Sequence, residues 1–133
     1  MPATTIYKSP NVTVWYHTDK RIVHHQIHKF VHGKEFQAFL EAGTQALETH
    51  KAQKWLSDDR GNTVLSKDDQ KWGRDVWFPK TAAAGWKFWA IVSPAKVLAR
   101  LTMEKLAKEY GAAGVTTRFF TDPGEAMKWL ESQ

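Results

Sequence analysis

The chain has 133 residues, 42% hydrophobic and 25% charged, a balance that suits one domain with a single buried core and excludes a disordered segment. It contains no cysteine, which excludes a disulfide framework, a thiolate nucleophile and a Cys-ligated zinc site. The net charge of +5 is spread out: bases stand beside acids at Lys67-Asp68-Asp69, Arg74-Asp75 and Glu104-Lys105, without the one-sign runs that a phosphate-binding face needs, so no nucleic-acid partner is expected. MPATTIYKSP lacks the basic-then-apolar pattern of a signal peptide, and no apolar run approaches the roughly 20 residues that span a bilayer. A soluble, cytoplasmic protein without a membrane span is the expectation.

Residues 1–10 read as an N-terminal extension ahead of a domain over 11–133. Residues 11–17, NVTVWYH, alternate, with Val12, Val14 and Tyr16 on one side and Thr13, Trp15 and His17 on the other, which is strand periodicity. A turn at Thr18-Asp19-Lys20-Arg21 leads into RIVHHQIHKFVH, whose Ile22, Val23, Ile27, Phe30 and Val31 predict a second strand ending at His32-Gly33-Lys34. From Lys34 to Lys51 the period changes. Phe36, Phe39, Leu40, Gly43, Ala46 and Leu47 recur every three or four residues, the mark of an amphipathic helix. Lys54–Asp59 is a short strand ending in acids.

After the Arg60-Gly61-Asn62 turn, Ser66-Lys67-Asp68-Asp69 combines a capping hydroxyl with carboxylates that complement a helix dipole. That helix is expected to run to the high 70s, where Pro79 interrupts it; residues 82–85 are another helical piece or a loop. WKFWAIV, residues 86–92, is a continuous apolar run suited to a sheet covered on both faces. Ser93-Pro94 reads as the start of a helix that points Val97, Leu98, Leu101 and Leu106 at the core and ends near Tyr110-Gly111. Val115–Phe120 is the last strand. Asp122-Pro123-Gly124-Glu125 resembles a capping box, opening a helix that buries Ala126, Met127 and Leu130.

The predicted order, β-β-α-β-α-β-α-β-α, implies a mainly parallel five-stranded α/β sheet with an antiparallel first strand. With the opening hairpin, the helix around GKEFQAFLEAG, the strand KWLSDDR, WKFWAIVSP and the ending RFFTDPGEAMKWL, the chain resembles the SpoIIAA-like family of STAS-type folds, to which bacterial STAS/SEC14 domain proteins are assigned. The resemblance runs from residue 11 onward and implies a non-enzymatic binding or regulatory module. Family members of this kind bind a protein partner under control of a serine phosphorylated after the second parallel strand, in an Asp-Ser-Ser or Asp-Ser-Thr context. Here that position reads Asp58-Asp59-Arg60-Gly61-Asn62, so the classical switch lacks its hydroxyl, and Ser66 is the nearest candidate phosphosite, although a helix cap accounts for it as well. Some SEC14-like proteins bind lipids, which adds a small apolar or lipid-like ligand to the expected partners; an edge strand offers a homodimer contact.

Four histidines fall within twelve residues of the second strand. On a helix His25, His28 and His32 would share a face; on a strand His24 and His28 lie roughly 13 Å apart and His25 faces away, so no metal site is expected. Trp15 is expected opposite His24, with His17 diagonal to it. Asp58, Asp59 and Arg60 sit at a strand's C-terminal end, where ligands bind in α/β sheets. Of the seven tryptophans, Trp72, Trp77, Trp86 and Trp89 crowd together with Phe78 and Phe88, with Trp86 and Trp89 expected on opposite faces of their strand. They make either solid core or an aromatic-lined cavity; Trp72, Trp77 and Trp89, with Asp58, Asp59 and Arg60, are the candidate ligand-binding residues. No nucleophile–base trio, phosphate loop or cofactor motif is present, and no catalytic residue or cofactor is assigned. The alternative is an enzyme that pairs His24 or His28 with Asp58 or Asp59 as acid and base, which requires those groups to converge.

Overall fold

The computed structural model describes residues 3–133. In chain order it contains β1 (Ala3–Lys8), β2 (Val12–His17), β3 (Ile22–Ile27), α1 (Gly33–His50), β4 (Lys54–Asp58), α2 (Lys67–Trp72), a π-helical turn (Gly73–Trp77), α3 (Phe78–Ala83), β5 (Phe88–Val92), α4 (Val97–Ala112), β6 (Thr116–Phe120) and α5 (Pro123–Glu131). The fold is α/β, built on a mixed six-stranded sheet whose strands lie side by side in the order of the chain. β1, β2 and β3 pair antiparallel; β3 through β6 pair parallel.

Because each parallel strand is added on the same side, right-handed crossovers place every connecting helix on one face. The face of Val23, His25, Trp55, Trp89 and Ile91 therefore packs under α1, the α2–α3 segment and α4. The opposite face, with Ile22, Leu56, Ala90 and Val92, receives Ala126 and Leu130 of α5.

Five strands become six. Residues expected to form an extension supply β1, an edge strand of threonines that pairs Thr5 with Trp15 and carries an irregularity between Thr5 and Tyr7. The strand is itself mostly exposed, so it lacks the apolar alternation that marks a buried strand. The histidine strand is shorter than expected and leaves the sheet after Ile27. His28 and Lys29 turn their N–H groups to the Asn11 carbonyl, and Gly61 crosses so closely that an added Cβ would stand 2.3 Å from the Ile27 carbonyl oxygen.

Pro79 does not end its helix. The chain stays helical from Lys67 to Ala83, and the wider π turn immediately before Phe78-Pro79 accommodates a ring that would crowd an ordinary helical turn. Ser93-Pro94 does not start one: the Ser93 N–H bonds the Phe120 carbonyl, and α4 begins at Val97 without a side-chain cap. In α4 the buried side is formed by Met103, Leu106 and Tyr110, while Val97, Leu98 and Leu101, expected to face the core, are exposed. Met127 is only half-buried. The two caps expected at Ser66 and Asp122 are present, accepting from the N–H groups of Asp69 (3.1 Å) and Glu125 (3.0 Å).

Candidate functional site

Trp86 precedes β5, and its ring lies on the same side as Trp89, 5.2 Å away, contrary to the expectation of opposite faces. Trp55, Trp77, Trp86, Trp89 and Tyr110 form a continuous aromatic layer beneath the helices. The indole N–H groups are committed: Trp77 to Thr44 Oγ1 (2.9 Å), Trp89 to Ser57 Oγ (2.8 Å), Trp86 to the Phe88 carbonyl (3.1 Å). Beside this layer is a cavity of about 50 Å³, bounded by the sheet, α1, the π turn and α4. Of the sequence candidates, Trp77, Trp89 and Asp59 line it.

Trp72, Asp58 and Arg60 do not. Trp72 is half-buried against Phe36, with ring centroids 6.1 Å apart. Asp58 is buried on the other side of β4 and receives Arg60 in a fork, Nε at 2.9 Å and a terminal nitrogen at 2.7 Å. This hydrogen-bonded pairing raises the Arg60 pKa, despite some desolvation. Ser66 is exposed at the start of α2.

The group that sequence reading passed over is His25. Trp55 donates its indole N–H to His25 Nδ1 at 3.0 Å, and His25 Nε2 lies 2.9 Å from Asp59 Oδ1. Since Nδ1 accepts, the ring proton sits on Nε2 and is donated to the carboxylate. All three side chains are buried, with His25 at 5% and Asp59 at 2% exposure. The signal was the face: His25 shares its side of β3 with Val23 and Ile27, both core residues, whereas a strand's His24 and His28 point the other way.

Those two histidines are engaged elsewhere. His28 Nε2 meets Thr13 Oγ1 at 2.8 Å. His24 lies opposite Trp15, as expected, and its Nδ1 is 3.1 Å from His17 Nε2. Burial, reinforced by the neighbouring His17 and His25 rings, lowers the His24 pKa to about 3, and burial also lowers that of His17. Among the described residues, no group of three or more His, Asp or Glu is placed to hold a metal ion.

The remaining polar groups on the cavity wall come from the loop after β4 and from α2 and α4. Asn62 is 3% exposed and its Oδ1 has no hydrogen-bond partner among the described residues. Its backbone N–H bonds the Asp59 carbonyl, which fixes the loop against the end of β4. Asp69 is buried too, and both its oxygens accept from the Gly33 N–H at 3.2 Å, a carboxylate cap on α1 from a neighbouring helix. Burial pushes the Tyr110 phenol pKa up, so it stays a neutral hydroxyl.

Comparison with known protein families, with curated proteins and with solved structures finds no match.

Proposed function

We propose that this chain is a non-enzymatic binding module, of the STAS-like type its sequence resembles, and that its ligand enters the cavity between Trp77, Trp89 and the end of β4. The observation that carries this reading is a mostly apolar cavity with an unsatisfied buried acceptor, Asn62 Oδ1, on its wall, the arrangement that ligand sites share. Its location at the C-terminal ends of parallel strands agrees with where α/β sheets take ligands. At about 50 Å³ the cavity holds a few heavy atoms, against the roughly 150 Å³ that accepts benzene, so a small molecule suits it better than an acyl chain.

A binding role is favoured over acid–base catalysis by the commitments of the histidines. Both ring nitrogens of His25 are occupied inside the protein, leaving no lone pair for a substrate proton. His24 has its pKa lowered far below the range useful to a base at neutral pH. The six-stranded sheet departs from the five strands expected from the sequence pattern, while the antiparallel hairpin leading into parallel strands supports the resemblance. A second form of the module, contact with a protein partner, is favoured by the exposed Val97, Leu98 and Leu101 on the first turns of α4.

Native mass spectrometry of the purified protein, with tryptophan emission followed during titration by small polar and apolar molecules, tests the ligand form. Binding is expected to perturb Trp77 and Trp89 emission. Apo mass only, with emission unmoved by every probe, overturns it.

A further inference from the structure

The cavity's polar atoms identify the kind of molecule it takes. Two buried carboxylates, Asp59 and Asp69, stand on its wall, and no lysine or arginine is among its lining residues. The His25 partner of Asp59 is held in its neutral form by the Trp55 donor, so it leaves the carboxylate charge uncompensated. Asp69 receives only a backbone N–H at the start of α1. Asn62 Oδ1, a second acceptor on the same wall, is buried and has no hydrogen-bond partner among the described residues. Aromatic rings share the lining: Trp77, Trp89 and Tyr110, with the indole N–H groups already spent, offer carbon faces and edges.

Carboxylate and amide acceptors without a cationic partner, set among aromatic rings, complement a cation that donates hydrogen bonds. An anion would be repelled, and an uncharged apolar molecule would leave the acceptors unpaired at a cost. The cavity's size limits such a cation to a few heavy atoms. We infer that the cavity binds a small primary ammonium ion, with its N–H groups on Asp59 and Asn62 and its short alkyl end against Trp77 and Trp89. This inference rests on the cavity-binding reading above and narrows it to a charge type.

The limit on binding energy per heavy atom puts such a ligand at millimolar affinity. The test is a titration of the full chain with ethylammonium chloride, matched against ethanol, sodium acetate and sodium chloride at equal ionic strength, read by tryptophan emission and by Tm. Saturable binding of ethylammonium, at least tenfold tighter than ethanol and without any acetate response, is the expected result. Asn62→Leu and Asp59→Asn should each weaken ethylammonium binding tenfold or more; Asn62→Leu keeps the test valid if the loss of the His25 contact unfolds the other variant. Equal binding of ethanol and ethylammonium overturns the charge inference and leaves the cavity reading standing. If no probe binds saturably, both fall. Ethylammonium binding that Asn62→Leu leaves unchanged, with sodium chloride giving the same response, marks a surface ionic effect and also overturns it.

Discussion

His24 shows what one side chain's surroundings do to the stability of the chain. Unfolded, it takes up a proton near pH 6.5; folded, only near pH 3, because burial and the neighbouring imidazoles penalise its charged form. Between those values the unfolded chain binds more protons, so stability present above pH 6.5 drains away as pH falls towards 3. The full shift corresponds to about 5 kcal/mol, and less is expected because the side chain is only half-buried. His24→Gln should flatten this acid limb, measured as urea midpoints between pH 7 and 4; an unchanged limb would mean that other groups set it. His25 is the opposite case. Its replacement by Leu strands the Trp55 N–H and the Asp59 carboxylate together, for a loss of roughly 3 kcal/mol or more. Sequence reading put the useful histidines at His24 and His28, since it weighed spacing; what mattered was which side of β3 faced the core, and that requires knowing what covers the sheet.

The helices and strands divide by how each is held in place. Those with a strong internal period, α1 above all, were legible from the sequence within a residue or two, because the buried stripe Phe36, Phe39, Leu40, Leu47 can face only one way. β1 and the start of α4 were not. The first lacks a buried face, and the second carries Val97, Leu98 and Leu101 in a helical rhythm that the structure turns outward. Replacing Leu98 and Leu101 together by Ser should therefore shift stability by no more than about 0.5 kcal/mol per site, whereas Leu106→Ala should lose about 2–5 kcal/mol. Denaturant unfolding separates the two outcomes, and a large loss from the first pair would show that α4 buries its other side. The seat of α1 on the sheet is set by Gly43, where an added Cβ would come within 2.3 Å of the Trp55 ring. Gly43→Ala should lower stability by about 1–3 kcal/mol despite alanine's better helix propensity, since a buried indole bonded to His25 has nowhere to retreat.

At the level of the whole chain, the alternation of elements was enough to read an α/β fold with parallel strands, and the consecutive strand order then places the helices. The candidate site was legible in part: Trp77, Trp89 and Asp59 converge, while Asn62 and Asp69 drew no notice because each reads locally as a turn or a helix start. No helix among the described residues is long and apolar enough to cross a membrane. One sheet links both ends of the chain, so urea unfolding followed by tryptophan emission and by far-UV circular dichroism should give coincident transitions; separated midpoints would show that the β1–β3 half melts alone.

The indoles of Trp55, Trp77, Trp86 and Trp89 stand in a chain of contacts whose ring centroids are 5.2 to 5.9 Å apart. At such separations their electronic transitions mix, so light absorbed by one ring is shared among all four. The protein's ultraviolet dichroism is then a property of the array and not a sum over residues. A small rotation of any one ring would change the signal of every other, giving the interior an optical signature that exists only while the layer is assembled.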